Sequence, residues 1–416
     1  MATLQSPADL MRQGAARQGS SDFFLGRVSC ALAIFAALMA STTPSPLYQV
    51  YITQWQLPQS AGTTIFATYA IGTLLSLLLS GWLDARTSDR RQILLPALIV
   101  TACGALLFAV ASQVWMLLVA RFMSGFSTGL ITSTASAAIF ALSPGAQKAR
   151  AATISTIAFT GGAAAGPCLS SAALATHFAP LVSPFICIAL FAAVAFLGLS
   201  LSSWPRQSAS SAATTRSTGP EVAPALRRNL FVLSCLAIAT AWMLGSLLMA
   251  MGVTLATDLF GLQIHALAGL LPAIFQLFAG LGQMLSSRLK PLNAILAGTA
   301  VLALLQLMTL GAALGGLTAF FILAMPLCGL FYGAAFVGGA SLVNATSAPE
   351  TLARRIATFY VVGYLSNAVP TYIMGLLVDR FGLSSAFEIF TLAFVIFGLV
   401  AATMALVLRR RLARAI

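Results

Sequence analysis

Long apolar runs, interrupted at short intervals by charged or turn-forming residues, set the pattern of this chain. Twelve are long enough to cross a bilayer, whose hydrocarbon core of about 30 Å asks for roughly 20 apolar residues per helix. They predict helices near 28–50, 60–83, 92–112, 115–141, 151–175, 182–203, 229–256, 266–287, 292–313, 317–344, 355–378 and 385–408. The runs are continuous rather than alternating, which points to helices and not to barrel strands. One polar interval stands out, from Trp204 to Asn229, rich in Ser, Ala and Thr and carrying Arg206, Arg216, Arg227 and Arg228. It separates two sets of six spans. The organisation this predicts is a tail over 1–27, a six-helix bundle over 28–203, a linker over 204–228, a second bundle over 229–408 and a basic tail over 409–416.

Composition sharpens the picture. The 416 residues are 59% apolar and 7% charged, against about 25% charged in a soluble domain, so lipid is the expected main solvent. The net charge of +13 does not form a basic patch interleaved with aromatics, which argues against nucleic acid as a partner. Twenty of the 22 Lys and Arg fall in alternate loops, the linker and the two tails; Arg380 lies in a loop of the other set and Arg121 within a span. Loops that stay in the cytoplasm keep their cations, so both termini and the linker are expected inside, in a cell (inner) membrane. The run that follows the polar first 27 residues is full length and reads as a span rather than a cleavable leader.

Several chemistries are excluded. Cys30, Cys103, Cys168, Cys187, Cys235 and Cys328 all sit in apolar runs with no metal-ligand spacing and read as packing residues. No Gly-x-x-x-x-Gly-Lys-Ser/Thr loop offers ATP a phosphate cradle. No convergent acid, base or metal set suggests an enzyme, and no cofactor is expected.

The halves echo each other. Ser143-Pro144-Gly145-Ala146-Gln147-Lys148-Ala149-Arg150 follows the fourth span, and Ser347-Ala348-Pro349-Glu350-Thr351-Leu352-Ala353-Arg354 follows the tenth. Each precedes a span with an internal proline, Pro167 or Pro370. Duplication of a six-span unit explains the equivalent placement, and a site at the interface of such repeats is the logic of secondary transporters.

Over residues 28–408 the chain resembles the major facilitator superfamily. The loop Gly81-Trp82-Leu83-Asp84-Ala85-Arg86-Thr87-Ser88-Asp89-Arg90-Arg91 looks like a degraded form of that family's signature between its second and third helices. Ala85 and Ser88 stand where the family places a carboxylate and a glycine, and Asp84 lies one residue early. Arg121-Phe122-Met123-Ser124-Gly125 resembles an Arg-x-x-x-Gly element linked with proton-coupled exporters. Gly162-Ala163-Ala164-Ala165-Gly166-Pro167 resembles the antiporter-associated Gly-x-x-x-Gly-Pro motif. The segment Thr43-Pro44-Ser45-Pro46-Leu47-Tyr48 is also family-like, although prolines there serve equally to end a helix. The resemblance implies twelve helices in two pseudo-symmetric bundles, with Gly81, Asp84, Arg90, Gly162, Gly166 and Pro167 as conformational gating residues.

In that fold spans one, four, seven and ten line a central cavity, helped by two, five, eight and eleven. Depth along those spans selects Tyr69, Trp242, Gln276, Tyr332, Tyr364 and Asn367 as substrate-binding candidates, because each approaches the midplane, and Arg121, in the outer third of span four, joins them for its charge. Interhelical hydrogen bonding is the competing explanation for each polar residue taken singly. Trp242, Met243, Met249 and Met251 suit an adaptable apolar surface. Arg121 is the one ionised side chain well inside a span, whereas none of the nine acidic residues lies at a span centre. Asp258, His265 and Glu388, near span ends, are candidate relay groups, and His177 carries no separate signal. The functional expectation is a monomeric secondary transporter that couples a proton to the export of small amphipathic or neutral compounds. The alternative is an importer or exchanger of a small organic anion, with Arg121 as its counter-charge.

Overall fold

The computed structural model describes residues 23–143, 148–204 and 224–414. Among them twelve helices are long and apolar enough to cross a membrane: Phe24–Trp55, Gln59–Asp84, Arg91–Ala109, Val114–Ala141, Thr153–Thr176, Ser183–Leu201, Pro224–Leu259, Ala266–Ser286, Pro291–Leu314, Thr318–Thr346, Arg354–Phe381 and Leu383–Leu412. They are called spans one to twelve. The expected tail over 1–22, most of the linker (205–223) and residues 144–147 of the repeated loop lie outside the described residues.

Several predicted edges need correction. Span one runs from Phe24 to Trp55 rather than 28 to 50, span seven from Pro224 to Leu259 rather than 229 to 256, span eleven reaches Phe381 rather than 378, and span twelve reaches Leu412 rather than 408, into the expected basic tail; span three ends earlier, at Ala109 rather than 112. Hydropathy marks where the hydrocarbon ends, but a helix keeps its own backbone paired and continues into the polar interface. Asp379 and Arg380, which hydropathy assigns to a loop, are therefore in the last turn of a helix.

Span one is broken. An α-helix over Phe24–Thr42 gives way to a 3-10 turn over Ser45–Leu47 and resumes over Tyr48–Trp55. Pro44 and Pro46 lack the N–H that the ladder needs, so carbonyls near the break must find other partners. The hydroxyl of Ser170 in span five donates to the Thr43 carbonyl at 2.7 Å, and Arg121 in span four donates to that of Ser41.

The two bundles repeat one packing scheme. Span two packs on span four as span eight packs on span ten, and span three packs on span six as span nine packs on span twelve. The bundles meet where span two faces span eleven and span five faces span eight. Leu, Ile, Val and Phe left exposed on the outer helix faces, such as Ile71, Leu190, Leu323 and Ile396, have lipid as their natural neighbour.

Candidate functional site

The seven candidates come together. Tyr69, Arg121, Trp242, Gln276, Tyr332, Tyr364 and Asn367 all line one cavity of about 140 Å³ between the bundles. Of the apolar candidates beside them, Met249 joins the lining, while Met243 and Met251 pack away from it. Ser41, Phe66, Phe275, Gln283 and Phe336 also line it and were not selected. One Phe among 27 in a membrane chain carries no distinguishing signal. Gln283 lies far along span eight, outside the depth window that picked Gln276.

Arg121 forms the first bundle's wall, with 1% of its surface exposed. Its guanidinium carbon lies 4.6 Å from the ring centre of Tyr69, 5.5 Å from Phe66 and 5.9 Å from Tyr48, a three-sided aromatic cage. Cation–π contacts that have lost their water contribute about 2 kcal/mol or more each. They, with the Ser41 carbonyl, offset the roughly 2.5–3.5 kcal/mol that a cation in mid-span costs on insertion scales. The Nε of Arg121 is buried and has no hydrogen-bond partner among the described residues. Gly125, one turn on, makes the cage geometrically feasible. A Cβ there would run into the Tyr69 carbonyl, so only glycine lets span four approach span two closely enough.

The second bundle supplies an aromatic wall. Trp242 meets Tyr364 edge-on at 4.7 Å between centroids, and Phe275 meets Tyr332 in the same manner at 5.1 Å. Phe336 lies 6.1 Å from Trp242. The indole N–H of Trp242 is buried without a partner among the described residues. Gln276, Gln283 and Asn367 add amides, and no lining residue is acidic.

Four hydrogen bonds that join the bundles lie on the face opposite the cation-bearing loops. Gln49 accepts from Thr254 at 2.8 Å and donates to Asp258 at 3.4 Å. Asp379 accepts the backbone N–H groups of Gln59 and Ser60. Asp258 belongs to a π-helical turn, Leu255–Leu259, that ends span seven. Beyond this seam a wider recess of about 690 Å³ is lined by Gln49, Thr53, His177 and Asp258 among others. It lies at the helix ends; the central cavity is smaller because aromatic rings fill it. Glu388 sits half-buried at the start of span twelve, away from both.

The expected gating residues have distinct placements. Gly162 and Gly166 press span five against the backbone of span one, where a Cβ would collide with the Phe35 carbonyl and the Thr42 hydroxyl; Pro167 follows inside the same helix. They pack the first bundle internally rather than joining the two. Arg90 donates to the Ala137 carbonyl of span four at 3.1 Å, again within the first bundle. Asp84 is exposed, and Gly81 has open space around it.

Known proteins place this architecture. A POT family transporter in complex with a thioalcohol-conjugated peptide superposes with a TM-score of 0.74 at 13% identity, over 94% of this chain and 98% of its own. A bacterial homolog of the human lysosomal transporter Spinster, inward-facing and unoccupied, gives 0.72 at 15% identity over 92% and 96%. A D-xylose–proton symporter gives 0.67 at 13% over 93% and 97%. At such identities the likeness is one of fold. No curated protein sequence matches. The sequence model of the Major Facilitator Superfamily matches residues 30–325, well over half the chain, and together with twelve spans in two bundles around a central cavity this means that the chain belongs to that superfamily.

Proposed function

We propose that this protein is a secondary transporter that exports small amphipathic compounds by alternating access, with the central cavity as its substrate site. The observation that carries the reading is the composition of that cavity, whose walls come from both bundles: Tyr69 and Arg121 from one, Trp242, Tyr332 and Tyr364 from the other. A rocking motion of the bundles necessarily remakes such a site, which is how one set of contacts serves two sides of a membrane. Export and proton coupling rest on the likeness of Arg121–Gly125 and Gly162–Pro167 to exporter motifs. The distribution of cations supports a reading with both termini in the cytoplasm of a cell (inner) membrane, and we read the protein as a monomer.

A second reading, exchange or uptake of an organic anion, is favoured by Arg121, which lines the cavity with no acidic neighbour there. Purified protein in liposomes, loaded with a panel of amphipathic compounds and assayed with and without a pH gradient at fixed voltage, tests both. Efflux that rises with the gradient supports proton-coupled export. Gradient-independent anion exchange would replace it, and no flux of any compound would remove the transport reading.

A further inference from the structure

Two buried N–H donors without partners, the Nε of Arg121 and the Nε1 of Trp242, belong to residues of opposite bundles that line the same cavity. Protein interiors rarely leave such donors unpaired, because each forfeits the hydrogen bond it made to water. Arg121 is also a cation at 1% exposure whose ordered neighbours are rings and a carbonyl, and none of these neutralises its charge. The described acidic residues Asp84, Asp89, Asp258, Asp379 and Glu388 are all absent from the lining. The residues lining the cavity thus carry one positive charge with no counter-charge among the described residues, two unpaired donors and an apolar wall of Phe66, Phe275 and Phe336.

From this we infer the charge class of the cargo: a small amphipathic monoanion, such as an aromatic or branched carboxylate, whose acid group is held by Arg121 and Trp242 while its apolar body rests on the phenylalanines. The inference deepens the transport reading by naming what the same site takes. A cationic compound would meet Arg121 at short range in a medium where like charges repel strongly. A neutral compound satisfies the donors but leaves the charge. A bare inorganic anion satisfies both but leaves the aromatic wall uncovered. Only a compound with one anionic end and one apolar end answers all three features.

The test uses three molecules of nearly equal shape, benzoate, benzamide and benzylamine, with the full-length protein in detergent and binding read by calorimetry up to millimolar concentration. Benzoate should bind at least about tenfold more tightly than benzamide, as expected when a neutral hydrogen bond becomes charge-assisted, and benzylamine should not bind. Arg121→Gln should erase the preference for benzoate, and Trp242→Phe should reduce it while keeping the ring. Should Arg121→Gln fail to fold, Arg121→Lys keeps the charge and should keep the order benzoate over benzamide. Equal affinity for the three, tighter binding of benzylamine, a preference untouched by Arg121→Gln, or no binding by any of them would each overturn the inference. Displacement of benzoate by an equal concentration of chloride would overturn its amphipathic part. Binding in detergent needs no alternation: a protein that binds benzoate but moves nothing across liposomes would sink the transport reading alone, and one that exports only amines would sink this one alone.

Discussion

The carboxylate of Asp379, in the last turn of span eleven, accepts the backbone N–H of Gln59 at 2.7 Å, at the first turn of span two. Its second oxygen takes the N–H of Ser60 at 3.1 Å. The first turn of a helix has N–H groups without intrahelical partners and a partial positive charge, so a carboxylate there acts as a cap supplied by the other bundle. The bond exists only while this face of the seam is closed.

Asp379→Ala should therefore loosen that face. Loss of a helix cap costs about 1 kcal/mol, which is roughly a fivefold shift between closed and open populations. Spin labels at Gln54 and Ser385, both exposed near the helix ends, report the separation once the native cysteines are replaced. A broader, longer distance distribution in the variant is expected; an unchanged one would mean that the cap does not hold the seam.

Glycine substitutions distinguish packing from mere hinge freedom. Gly125→Ala places a methyl against the Tyr69 carbonyl and should destabilise the protein by about 1–3 kcal/mol, seen as a lower melting temperature in detergent. Gly81→Ala meets open space and, as a helix-interior replacement, should leave the melt unchanged or raise it by up to about 1 kcal/mol. Equal effects of the two would contradict the close approach of spans two and four.

The loop between spans two and three carries a local ion pair, Asp89 with Arg91 at 2.8 Å. Desolvation pushes the Asp89 carboxyl up, but the side-chain and backbone hydrogen bonds from Arg91 and its charge outweigh this and hold it below its ordinary value. A lowered folded-state pKa contributes stability that is present above the unfolded value, near 4, and is lost as pH falls through the folded one. The pair is largely solvated, so its contribution should stay below about 1 kcal/mol. Melting curves of the parent and Asp89→Asn should differ slightly at neutral pH and converge in acid; a gap that widens as pH falls would refute the assignment.

Much of this was legible in the sequence because the bilayer imposes simple rules. Alternating cations fixed the helix count, and a lone Arg inside a span pointed to the central cavity, since such a residue must face protein or water. Depth counting found Tyr69 and Tyr364 on opposite walls because helical rise converts position into height. What escaped it is lateral. The proline pair at 44 and 46 reads as a helix end, yet the break supplies the Ser41 carbonyl that Arg121 needs. Asp379 reads as loop polarity until span eleven is seen to extend and reach span two. Phe66, Phe275 and Phe336 differ from lipid-facing phenylalanines only in direction, which hydropathy does not encode.

The central claim is that the bundles must part at the Asp379 face for cargo to pass. Gly375 and Thr63 face each other across that seam, where a Cβ at Gly375 would lie 3.0 Å from that of Thr63 and 2.9 Å from the Ser60 Cα, so the two helices must part by about 0.5–1 Å to reach the roughly 3.5–4.5 Å that a disulfide spans. Flux through liposomes bearing the double variant Thr63→Cys, Gly375→Cys, with the native cysteines replaced, measures it directly. Oxidation should stop transport, a reductant should restore it, and neither single variant should respond to either reagent. Undiminished flux through the cross-linked protein would contradict it.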